Sequence, residues 1–84
     1  MNDVEIMNII IKAIKLEASL KPNEKIYIGQ KSYTYAEFAN MLNNHRKLSK
    51  DSKQTVKSFL ESCIKLFREN QDFREKIFSL AGEG

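Results

Sequence analysis

The residues able to do acid–base, nucleophilic or metal chemistry are few and scattered. His45 is the single histidine and Cys63 the single cysteine, about five helical turns further along the chain. A structural zinc site needs four N or S ligands, and an activated thiol needs a base within hydrogen-bond reach. Neither pattern is present. Cys63 falls on an apolar helical stripe and reads as a small core residue, because burial among apolar groups makes a thiol inert. His45 reads as a solvated loop residue.

The carboxylates have local roles. Thr34 with Glu37, Asp51 with Gln54, and Asp72 with Glu75 have the spacing of helix-capping pairs, and Glu61 precedes Lys65 by one turn as a helical ion pair. Gly29 stands alone, so no phosphate-cradling glycine loop is present. These residues predict no catalytic site, no bound metal, no cofactor and no small-molecule substrate. The expected function is that of a non-enzymatic protein.

Charge is more informative. Arg46, Lys47, Lys50, Lys53 and Lys57 face only Asp51 within residues 45–57, a local balance of +4 against +3 for the whole chain. The rest of the sequence is therefore close to neutral. This segment covers a loop and the start of a helix, whose free N–H groups also favour anions. Phosphate contact by these five cations is the alternative function. The stretch from Tyr35 to Phe67 resembles a helix-turn-helix, with Ala36 and Ala39 in its first helix and Thr55-Val56 opening its second. Gln54 and Ser58 would be the residues available to read bases. It departs from that motif in its connection, 43–52, which exceeds the usual turn of about 3–4 residues.

The elements that position these residues follow from hydrophobic period. Over residues 2–20, Val4, Met7, Ile10, Ile14 and Ala18 form one helical stripe, and Ile6, Ile9, Ala13, Leu16 and Leu20 a second beside it. Lys21-Pro22 ends the helix. So wide an apolar arc must be covered on two sides, by the rest of the domain or by a second copy. Ile6, Ile9, Ala13 and Leu16 are the candidate self-interface, and a homodimer is the leading expectation for the partner.

Residues 25–34 change to period two and predict a β-hairpin. A four-residue loop at 29–32 would put Ile26, Ile28, Tyr33 and Tyr35 on one face and Tyr27 and Thr34 on the other. Tyr27 is then the candidate exposed aromatic. A helix over 35–44 follows, then one over 52–69 with Val56, Phe59, Leu60, Cys63, Ile64 and Phe67 in register. A short helix over 72–81 carries Phe73, Ile77, Phe78 and Leu80 and stops at Gly82. The run Tyr33–Ala39 resembles many strand-to-helix junctions and carries no function over.

The fold class predicted is mostly α with one small hairpin, in a single domain spanning residues 1–84. At this length a chain buries only about 60% of the surface it exposes when unfolded, so walls for a deep site are scarce. One cysteine permits no internal disulfide, no apolar run approaches the roughly 20 residues of a membrane span, and the N-terminus lacks a signal-peptide pattern. A cytoplasmic protein with no membrane partner is expected. Richness in Ile, Lys and Asn fits an AT-rich genome, as in some archaea, firmicutes or their viruses. The leading reading is a protein–protein interaction module, acting as a homo-oligomer or as a regulatory, inhibitory or accessory partner. The alternative is a nucleic-acid-binding protein.

Overall fold

The computed structural model describes residues 1–82. Helix α1 (Asp3–Leu20) leads into strands β1 (Lys25–Ile28) and β2 (Lys31–Thr34), helix α2 (Tyr35–Asn43), a 3₁₀ turn (His45–Lys47), and helices α3 (Lys50–Glu69) and α4 (Gln71–Leu80). The protein is mostly α with one antiparallel hairpin, as the periodicities predict. No helix among the described residues is long and apolar enough to cross a membrane.

Helix α1 is the central element, with α2, α3 and α4 all packed against it. Its start is fixed by a capping box: Asn2 Oδ1 accepts from Glu5 N–H (2.9 Å) while Glu5 Oε1 accepts from Asn2 N–H (3.2 Å). The buried stripe is Ile6, Ile10, Ala13, Ile14 and Glu17. It draws Ile10 and Ile14 from one predicted stripe and Ile6 and Ala13 from the other. The core seam runs between the two because helices cover α1 from both flanks. Val4, Leu16 and Leu20, at the edges of the arc, stay 60%, 40% and 78% exposed.

The hairpin pairs Ile26 with Tyr33 and Ile28 with Lys31. Its loop is therefore two residues, Gly29-Gln30, in place of the predicted four. Gly29 sits at the first central position with φ +62°, the conformation a II′ turn asks of that residue. Tyr35 consequently belongs to α2, where it is the first helical residue. Thr34 caps that helix as expected, with its Oγ1 accepting from Glu37 N–H (3.0 Å) and Glu37 Oε1 accepting from Thr34 N–H (3.2 Å). Two further free donors of the first turn, Tyr35 N–H and Ala36 N–H, reach the carbonyls of Glu24 (2.8 Å) and Pro22 (3.2 Å). The hairpin, the 21–24 turn and α2 thus form one clamped unit. Phe38, at 0% exposure, joins that unit to the core through ring contacts with Tyr33 and Phe59, centroids 6.2 and 4.9 Å away.

The last two helices begin earlier than predicted. Ser49 caps α3 by accepting from Ser52 N–H (3.2 Å), and Asn70 caps α4 by accepting from Phe73 N–H (2.9 Å). Asp51 and Asp72 lie inside the first turns, where they complement the helix dipole. Val56, Leu60 and Phe67 of α3 are buried, with Phe59, Cys63 and Ile64 half-buried beside them. In α4, Ile77 is buried and Phe73, Phe78 and Leu80 pack on the core, so this short helix leaves no surplus apolar face. It closes at Gly82, whose φ of +72° and N–H bond to the Ser79 carbonyl form the left-handed stop. Residues 44–49 separate α2 from α3, and α2 packs mainly on α1. Both features depart from a helix-turn-helix.

Candidate interaction groove between the first and third helices

Helix α3 presents two faces to α1. One is core. The other opens a groove of about 500 Å³ between Met7 of α1 and the stripe carrying Lys50, Lys53, Lys57, Glu61 and Ile64, with Val56 and Leu60 beneath and His45 at one end. The lysines sit at i, i+3 and i+7, a spacing that lines them along one edge of the helix. Ser49 fixes where the helix starts and therefore which way these residues face. Gln54 Nε2 donates to Ser58 Oγ (3.0 Å), one turn along the same helix.

His45 also lines an adjoining depression of about 400 Å³ formed with Leu42, Asn43, Asn44, Arg46 and Lys47. All five predicted cations are thus gathered around one exposed histidine. Among the described residues no carboxylate lies within 4.0 Å of any of the five, and Glu61 makes no ion pair with Lys65. Ion pairs form elsewhere. Arg68 binds Asp3 Oδ1 through Nη2 (2.6 Å) and Nε (3.2 Å) and also donates to the Met1 carbonyl, tying the end of α3 to the start of α1. Among the described residues the cations of the groove edge therefore form no ion pair, although Glu61 lies in the same groove.

The predicted self-interface is divided by the fold. Ile6 and Ala13 are each 1% exposed in the core of the single chain, so neither can meet a second copy without opening α1. Ile9 is half-buried, and Leu16 continues with Leu20 along one rim of the helix. Tyr27 is 74% exposed on the outer face of the hairpin, opposite the face that carries Ile26 and Tyr33.

Sequence reasoning missed Glu17. Its position three and four residues after Ile14 and Ala13 places it on the buried stripe, and that spacing was the available signal. At 9% exposure it borders a narrow cavity of about 110 Å³ with Tyr35, Cys63 and Lys76, and its carboxylate lies 3.8 Å from Lys21 Nζ. Burial raises the Cys63 thiol from its ordinary 9.0 to about 11. Burial also raises the Tyr35 hydroxyl, with the charges of Glu24 and Glu17 adding to it. Such a thiol is a poor nucleophile near neutral pH. On the far side of the core, the Arg74 guanidinium lies over the Phe67 ring at 5.9 Å, with its Nε buried and without a hydrogen-bond partner.

Among the described residues no three His, Cys, Asp or Glu side chains are grouped to hold a metal ion. No protein-family model matches the chain, and comparison with curated proteins and with solved structures returned no match.

Proposed function

We propose that this protein is a non-enzymatic protein-interaction module that binds through the groove between α1 and α3. The observation that carries the reading is the combination at that groove of an apolar floor with a row of cations along one edge that form no ion pair among the described residues. Val4 and Ile11, one turn to either side of Met7, extend the apolar row along α1, and Val4 is 60% exposed. A soluble monomer gains nothing from such a face, whereas a partner gains both area and orientation from it. The groups that could support catalysis lie apart, with Cys63 in the narrow cavity and His45 at the end of the groove. The lone thiol makes the cytoplasm the proposed compartment.

Another protein is proposed ahead of a second copy, since Ile6 and Ala13 of the expected self-interface lie in the core of the single chain while Leu16 and Leu20 remain exposed. Light scattering on the purified chain, at low and high salt, is expected to give the 9.8 kDa monomer at both. A dimer at both salts, lost on Leu16→Asp or Leu20→Asp, would make self-association the role. A monomer that co-purifies with nucleic acid at low salt and sheds it at high salt would favour phosphate binding by Arg46, Lys47, Lys50, Lys53 and Lys57.

A further inference from the structure

We infer that the occupant of this groove is an acidic amphipathic helix of a partner protein; the inference rests on the interaction-module reading above. Three features select that chemistry. Lys50, Lys53 and Lys57 rise about 10 Å along one edge of α3 and have no carboxylate partner among the described residues, so complementary acids must come from outside. The floor between them and α1 is Met7 and Ile64 over Val56 and Leu60, which asks for apolar side chains and offers phosphates nothing. Glu61 in the same groove opposes a polyanion tracking its full length. A peptide helix can instead place its acids against the lysines and an uncharged residue beside Glu61.

Length agrees. From Lys50 to Ile64 the groove follows α3 for about 21 Å, the rise of a helix of roughly 14 residues. Anchors at i, i+3, i+4 and i+7 would enter between Met7 and Ile64, with Asp or Glu along the side facing the lysines. A second copy of this chain fits less well, since its net charge is +3 and its α3 carries the same cations.

A display library of 16-residue helix-forming peptides, with acidic, basic and neutral residues equally represented, tests this on the full chain. Selected peptides are expected to combine an apolar i, i+3, i+4, i+7 stripe with flanking Asp or Glu. Their affinity should fall at least tenfold on the Lys53→Glu/Lys57→Glu variant and severalfold on the milder Lys53→Gln/Lys57→Gln variant. Thermal melts within a few degrees of the parent establish that both variants fold. Groove-binding peptides without acidic enrichment would overturn the acidic occupant and leave the interaction module standing. No enrichment, or peptides indifferent to both variants and to Met7→Asp, would remove the groove as a docking site and the module reading with it. A duplex oligonucleotide that displaces the peptides at lower concentration than free peptide does would overturn the inference in favour of nucleic acid. A scrambled peptide of equal charge that binds equally well would overturn it in favour of nonspecific charge attraction.

Discussion

Helices α1 and α3 enclose two spaces that differ in every property that matters. Toward α4 and the hairpin they leave a narrow cavity of about 110 Å³, bordered by Glu17, Tyr35 and Cys63. Toward the 3₁₀ turn they leave a groove of about 500 Å³, edged by lysines. The helices are the same; the third wall is not. The hairpin and α4 bring Ile26, Phe73, Ile77 and Leu80 to the narrow side, while among the described residues only His45 reaches the wide one from outside the two helices. One side is filled by packing, and the proposed function assigns the other to a partner. That contrast can be broken by mutation.

The largest effect belongs to the packed side. Phe38→Ala removes a ring that is 0% exposed and contacts Tyr33 and Phe59, and the expected loss is about 3–5 kcal/mol. At about 4–8 °C per kcal/mol in a domain of this size, the melting midpoint should fall steeply. Met7→Ala, at the half-buried edge of the open groove, should cost about 1 kcal/mol or less. Urea unfolding of both variants measures the difference directly. Equal losses would mean that the groove is core and that the contrast is false.

The next effect is a pH dependence. Cys63 holds its proton more tightly in the folded chain, where it titrates at about 11, than at the ordinary 9.0. Between those values the folded state binds more protons than the unfolded state, so stability falls as pH rises through that window and is complete below it. Comparing the parent with Cys63→Ala at pH 8 and pH 10.5 isolates this from the lysines and from Tyr35, which is shifted in the same direction. The advantage of the parent should shrink at the higher pH. At pH 8 the thiolate fraction is roughly 100-fold below that of an exposed thiol, and alkylation should slow accordingly. A stability difference independent of pH would place Cys63 on an open face.

What the sequence made legible divides along the same line. Local signals worked where one interaction decides the outcome: the Thr34–Glu37 box, the glycine stop at Gly82 and the α3 stripe are all found as read. They failed where equivalent residues compete. Ser49 and Asn70 cap nearly as well as Asp51 and Asp72, so capping preference alone cannot place the helix start. On α1 two adjoining stripes were visible, but which residues become core depends on helices that approach from both flanks. The cluster from Arg46 to Lys57 was legible as charge. Its apolar floor was not, because Met7 arrives from the other end of the chain. Glu17 is readable from its spacing but runs against the rule that acids are rarely buried.

Thr34→Ala tests the clamp that closes the narrow side, and it should cost about 1 kcal/mol, the usual worth of an N-cap. The loss is expected to stay small because Tyr35 N–H and Ala36 N–H keep their bonds to Glu24 and Pro22. A loss several times larger would show that the capping box, more than the loop carbonyls, holds the hairpin against α2. Hydrogen exchange at Glu37 N–H reads the cap itself.

The smallest effect carries the opposite sign and sharpens the contrast most. Lys50 and Lys53 stand in the first turns of α3, the positive end of the helix dipole, where cations are unfavourable and carboxylates favourable. Lys50→Glu should therefore raise stability by about 0.3–1 kcal/mol, read as a higher urea midpoint with an unchanged slope. The same substitution should weaken any acidic ligand of the groove. A residue whose replacement stabilises the fold while impairing binding is held there by the partner and not by the structure. Were Lys50→Glu to destabilise α3 instead, the lysine row would be supporting the helix, and the wide side would lose its claim to a role beyond it.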